Sequence, residues 1–471
     1  MMALFFPPRP KVGFSRLLSN HNNYIERDIQ PLQKLLCTAE QNAAVHDYCP
    51  CAPITGPILP IGETSSDRSL EPTVGPDCPV NGVVRDNNNN RHEAAASVAR
   101  LVSARQTNGP WPSGHPLPLP RWASAPVRPL RLADLREYEE LASEIEMHLR
   151  RVLEEHNYDT VVNWMKFYER FKGSACDSVL EFFHMYSPPI TPEHYTCVGL
   201  ALELWNRLSI QLEAKYPGIG DHLCLVSCEE DIVSTPVYTA ALSDRLDSAS
   251  YTLEKEHVLM CLNVEFSGRS GTLLCDPGYH VSRVVNVMAD KAYPNTGWFI
   301  QSEESGIRKE YNYTLSSNND DFVEWKERTT RNGEQENFTG LIYIGRPYLT
   351  AVDVTERRNL AYNFRSLLSR DQKGHLIAGI YFKVFQNSDE FTIFYQDMGK
   401  QRIKMSFSAF LRPKVKDDLL KKLSICNEQL NLPKNKLLDI VRTSGQILKD
   451  GSYLRQILEI EGCINIMSAN N

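Results

Sequence analysis

Three residues of this sequence combine a reactive type with a setting that would aim it. Cys197 opens Cys197-Val198-Gly199-Leu200-Ala201-Leu202-Glu203-Leu204-Trp205, which reads as a helix. His257 opens His257-Val258-Leu259-Met260-Cys261-Leu262-Asn263-Val264, which reads as a strand. Asp276 closes a second strand in Leu273-Leu274-Cys275-Asp276-Pro277-Gly278-Tyr279. In such a set the imidazole takes the proton of the thiol, the carboxylate holds the imidazole in one tautomer, and the thiolate attacks an acyl carbon. Thr196 stands where a helix cap is expected, which puts Cys197 in the first turn. There the positive end of the helix favours the thiolate. Taken singly, each residue has a plainer reading. A cysteine on an apolar stripe is ordinarily core filler, and a histidine at a strand start is ordinarily surface or satisfied core.

The elements that must bring them together are legible from periodicity. Leu200, Ala201, Leu204 and Leu208 share the helix face of Cys197. After His257 the strand alternates, with Val258, Met260, Leu262 and Val264 on one face and His257, Leu259, Cys261 and Asn263 on the other. Ser267-Gly268-Arg269-Ser270-Gly271 reads as a hairpin loop. Centred on Arg269, that hairpin sets Asp276 opposite Leu262, several residues along the ribbon from His257. A bulge, a shifted turn or strong twist would have to close the gap.

Around this region, Leu135, Tyr138, Ala142, Ile145, Leu149 and Val152 predict an amphipathic helix. Val161, Trp164, Phe167 and Phe171 predict a second, ended by Gly173. From about residue 310 the pattern is strand-rich, with candidates at 310–314, 322–329, 340–344, 379–385, 391–396 and 400–407. An antiparallel sheet or a barrel is expected there. Three helical patterns follow Pro413. Residues 1–130 are rich in proline, carry a polar tract at Asn87–Asn90 and lack hydrophobic periodicity, apart from an isolated helical stretch at Ala94–Val102. They are expected to be a disordered extension. The expected organisation is therefore an extension over 1–130, a core of helices and strands carrying the three residues over 131–300, an antiparallel β domain over 301–412, and a helical segment over 413–471.

The chain has 471 residues, enough for two or three domains, and its 42% hydrophobic and 23% charged composition is that of a soluble globular protein. A net charge of −7 argues against a general nucleic-acid binder. The 12 cysteines are scattered without paired C-x-x-C motifs, so neither structural zinc nor a disulfide framework is expected, and a reducing, cytoplasmic location is. Met1–Phe6 is apolar but too short for a leader or a membrane span. The phosphate-cradle, dinucleotide and zinc-peptidase motifs do not occur.

The three signals together resemble the papain-like core of arylamine N-acetyltransferases and transglutaminases, in which the triad runs Cys, His, Asp in that order. His257 opening an apolar strand, with Asp276-Pro277-Gly278-Tyr279 beyond the hairpin, is similar to the acetyltransferase pattern. The Asp276-Pro277 pair is closer to the transglutaminase one. The chain departs from the first family in having Glu193-His194-Tyr195-Thr196 where Arg-Gly-Gly usually precedes the cysteine helix. It departs from the second in having Val198 where Trp usually follows the cysteine. The resemblance spans roughly residues 175–410. It implies an α+β fold with a helical bundle and an antiparallel sheet or barrel, and Cys197, His257 and Asp276 as catalytic residues. It implies acyl transfer from a thioester such as acetyl-CoA to a small-molecule amine or a protein substrate, without a metal, nucleic acid or membrane. Two alternatives stand beside it: an inactive member of the fold serving as a protein-interaction module, and a transglutaminase-like or thiol hydrolase.

Overall fold

The structure is a computed structural model that describes residues 111, 114–191, 195–230, 232, 234–244, 256–304 and 306–468. Most of the expected extension, with the helix expected at Ala94–Val102, lies outside these residues, as do Glu193 and His194. From residue 114 the chain packs, and Leu117 and Leu119 are buried.

In chain order the described elements begin with β1 (Leu130–Leu132), α1 (Leu135–Glu155), β2 (Tyr158–Asp159), α2 (Val161–Lys172), α3 (Val179–Met185) and α4 (Cys197–Gln211). They continue with α5 (Ile219–His222), β3 (Leu223–Glu229), α6 (Thr235–Asp244), β4 (His257–Phe266), β5 (Arg269–Cys275), β6 (Val285–Met288) and β7 (Phe299–Glu304). Next come β8 (Ile307–Leu315), β9 (Phe322–Arg331), β10 (Glu334–Tyr343), a widened helical turn at Ala351–Glu356, α7 (Arg357–Ala361) and β11 (Phe364–Arg370). The last are β12 (Leu376–Lys383), β13 (Glu390–Gln396), β14 (Lys400–Ser406), α8 (Phe407–Phe410), α9 (Asp417–Gln429), α10 (Lys436–Ile447) and α11 (Gly451–Ser468). The fold is a mix of helices and largely antiparallel sheet. No helix among the described residues is long and apolar enough to cross a membrane.

Two sheets organise it. The larger runs β6-β5-β4-β3-β10-β9-β8-β7, with β1 added parallel to β4, and the smaller runs β14-β13-β12-β11-β2. The sheets therefore divide elsewhere than at residue 300: β7 to β10 continue the sheet that carries His257, and β11 to β14 build the other one. β7, β6 and β11 escape the periodicity reading. β11 is Phe-Arg-Ser-Leu-Leu-Ser-Arg, with polar pairs on either side of Leu367-Leu368, yet buried throughout.

The expected alternation of β4 is what the sheet uses. Val258, Met260 and Leu262 belong to one core with Leu200, Leu204 and Leu208 of α4, while Leu259 and Cys261 belong to the other core with Tyr279 and Trp325. Each fully buried aliphatic side chain contributes about 1.5–3 kcal/mol. Helix α4 is apolar almost all round. Val198, Leu200, Ala201 and Leu204 are each 0% exposed, as a helix between layers must be. That burial fixes where its first residue, Cys197, must lie.

Candidate active site

The two residues before Cys197 are both anchored. Thr196 is extended, and its hydroxyl donates to the Glu356 carboxylate rather than capping the helix. Asn163 Nδ2 donates to the other oxygen of Glu356 at 2.8 Å. Tyr195 is tied down as well, because its carbonyl accepts the Asp159 N–H at 2.7 Å and Tyr158 bridges to it in parallel. Strand β2, bonded on its far side to β11, thus links the smaller sheet to the start of the cysteine helix. Burial pushes the Glu356 carboxyl up to about 7 and that of Asp159 up to about 6, against the hydrogen bonds each accepts.

His257 and Asp276 meet because of the turn between β4 and β5. The turn is the two residues Ser267-Gly268, with φ of 48° and 71°, so both central residues are left-handed as a tight hairpin turn requires. The expected centre at Arg269 is corrected: Arg269 is the first paired residue and faces Phe266, and Met260 faces Cys275. In this register Asp276 lies beside Leu259, on the face of His257 and one diagonal step from it. That is within side-chain reach, so the separation expected from the wider loop vanishes without a bulge.

Both carboxylate oxygens accept from His257 Nε2, at 2.9 and 3.0 Å, which places the proton on that nitrogen and leaves Nδ1 for a second partner. Cys197 stands beside the ring, its Cβ and His257 Cε1 each 2.7 Å from the point that a Cβ on Gly278 would occupy, and the thiol acts on the titration of the imidazole. Burial alone would lower the pKa of this imidazole. The charge and hydrogen bond of Asp276, together with the thiol, outweigh it and raise the pKa well above the ordinary value. All three residues are 3% exposed.

Two neighbours shape the contact. A Cβ on Gly278 would sit 2.7 Å from Cys197 Cβ and 2.7 Å from His257 Cε1, so only glycine lets the thiol and the imidazole close on each other. Tyr279 lays its ring on the imidazole, with centroids 3.9 Å apart, and its N–H donates to Asp276 Oδ1 at 2.9 Å. Trp325 backs Tyr279, with centroids at 4.9 Å.

The structure brings together all three residues singled out in the sequence. Sequence reasoning missed Gly278, Tyr279, Glu356 and Thr196's true bond. Gly278 and Tyr279 adjoin Asp276 in the quoted motif and were there to be weighed. Nothing local in Ala351–Glu356 marks Glu356, whose partners are far away in the chain. Comparison with protein-family models, with curated proteins and with solved structures found no match, so the functional reading rests on geometry.

Proposed function

We propose that this chain is a cysteine acyltransferase on a papain-like core. The observation that carries the reading is His257 fixed by both oxygens of Asp276 through one ring nitrogen while Cys197 stands beside the same ring across Gly278. In the proposed cycle His257 accepts the Sγ proton and the thiolate adds to the carbonyl of a thioester such as acetyl-CoA. Asp276 stabilises the imidazolium that forms. Backbone N–H groups at the start of α4, unbonded within the helix, would meet the oxyanion. The donor thiol leaves with the proton from His257. An arylamine, a hydrazine or a related amine then attacks the acyl-cysteine, gives its proton to His257 and regenerates the thiol. A protein amide as donor, or water as acceptor, would give the transglutaminase-like and hydrolase variants of the same site. The eight unpaired cysteines among the described residues fit a reducing, cytoplasmic setting.

The 3% exposure of each member supports one competing reading, an inactive interaction module that keeps the triad as packed core. Steady-state kinetics with acetyl-CoA and a hydrazine, paired with intact mass, separate the two. Acyl transfer predicts an acetyl-cysteine that accumulates without the amine and discharges on adding it, with two-step exchange kinetics. A folded protein that takes no acetyl from any thioester would overturn the enzyme reading.

A further inference from the structure

The turn that carries Asp276 is gripped by an arginine that the mechanism above does not use. Arg370, the last residue of β11, is 1% exposed. Its Nη1 donates to Pro277 O at 2.6 Å and to His280 Nδ1 at 2.7 Å, and its Nη2 donates to His156 O at 3.0 Å. Its partners are thus two carbonyls and a ring nitrogen, all uncharged. His280 stands in the left-handed region at φ 62°. Burial, then the guanidinium, drives its pKa well below the ordinary value, so it adds no second positive charge. The ionisable groups whose charges reach Arg370 are Tyr158 on β2 and Asp276. Burial, then the negative charges of Cys197, Glu356 and Glu230, keep Tyr158 in its neutral form, well above the ordinary phenol value. Burial draws Arg370 down to about 9, which leaves it charged at neutral pH.

The charge count then has a consequence. Cys197, His257 and Asp276 together carry one negative charge wherever the shared proton sits, on sulfur or on the ring. A buried set with net charge removes it most cheaply by taking a proton from solvent, which here gives thiol, imidazolium and carboxylate, a form that cannot attack. A fixed cation beside Asp276 makes that extra proton unfavourable. We infer that Arg370 is a positioning residue of this site, holding the Asp276–His280 turn and supplying the buried positive charge that keeps the Cys197–His257 pair in its singly protonated, reactive form. The inference rests on Cys197 being the nucleophile, and it concerns the titration of the pair as a unit.

The test is the pH profile of Cys197 alkylation by iodoacetamide, read by mass against a Cys197→Ala blank, in wild type, Arg370→Lys and Arg370→Gln. Lysine keeps the charge and loses the fork; glutamine keeps a donor and loses the charge. The expected result is a half-maximal pH about one unit higher in Arg370→Gln, with roughly tenfold slower alkylation at pH 7, and a profile close to wild type in Arg370→Lys. A Gln variant as fast as the Lys variant would overturn the inference. Should the variants not fold, the wild type decides through its ring nitrogens by NMR: His280 must titrate well below an ordinary histidine, and an ordinary titration near 6.5 would mean that no cation sits at its Nδ1. A wild-type Cys197 no faster than a free thiol would count against the nucleophile reading instead, while the His280 titration would still report on Arg370.

Discussion

The larger sheet buries two acid–base pairs, and they are built to opposite ends. Lys309 on β8 donates to Glu327 on β9 at 2.6 Å, with the two side chains 1% and 5% exposed, and the Thr329 hydroxyl donates to the same carboxylate. The ammonium is spent on the carboxylate, and the pair sits in mid-strand between regular ladder neighbours. His257 and Asp276 are as deeply buried, but each stands at a strand end, where the backbone turns away. The carboxylate takes only one nitrogen of the ring, and Gly278 opens the space through which the thiol reaches the other side. The difference is one of free valence. A buried pair that satisfies itself is architecture, whereas a buried pair with one hydrogen-bonding group left over can do work on a third.

The comparison can be broken by substitution. Asp276→Asn leaves the ring without its anion and favours the wrong tautomer. Acylation of Cys197 by the folded protein is expected to fall by about 10⁴-fold, measured as the rate of adduct formation with an activated ester. Lys309→Met should do the reverse. It strands a buried carboxylate and costs about 3–5 kcal/mol in urea unfolding, yet the folded fraction should acylate at the wild-type rate. The double variant Lys309→Met with Glu327→Leu should recover most of that loss. Equal damage to acylation and stability from both single substitutions would erase the distinction drawn above.

Smaller effects sharpen it. Gly278→Ala adds a methyl group into the contact between Cys197 and His257, and a displacement of the order of 1 Å there is expected to slow acylation by about 10²-fold. Alanine kinetics within twofold of wild type would mean that the two groups do not close on each other. The pH dependence of stability is subtler. The folded pKa of His257 is raised, so the stability it contributes is fully present below the unfolded value of about 6.5 and is lost as pH rises through the raised value. The stability difference between wild type and His257→Gln should therefore shrink as pH rises above about 6.5, as read by urea unfolding. A difference that grows with pH would contradict the pairing.

How much of this was readable follows from where each signal lives. The cysteine helix was, because its apolar stripe is local in the chain, although Thr196 gives its hydroxyl to Glu356 and not to a cap. The two faces of β4 were, because alternation is local. The hairpin register was not, since it depends on Ser267 and Gly268 both adopting left-handed backbone, and Ser-Gly inside a longer small-residue run does not single itself out. Arg370 was not, since β11 reads as a polar segment until its arginines are seen to spend their hydrogen bonds on distant carbonyls, Arg365 on Asn359 and Leu360, and Arg370 on Pro277 and His156. Val179–Phe183 reads only as a short apolar run, and it lies in a helix over Val179–Met185 that starts where the Ser178 side chain accepts from the Glu181 N–H.

Everything proposed for this site requires Cys197 to be an activated nucleophile. The most direct test is intact-protein mass after brief exposure to a small activated acetyl ester at neutral pH, for wild type and Cys197→Ala. The account predicts a single acetyl adduct on the wild type and none on the variant. A folded wild type that takes no adduct, or a variant that takes the same one, would contradict it.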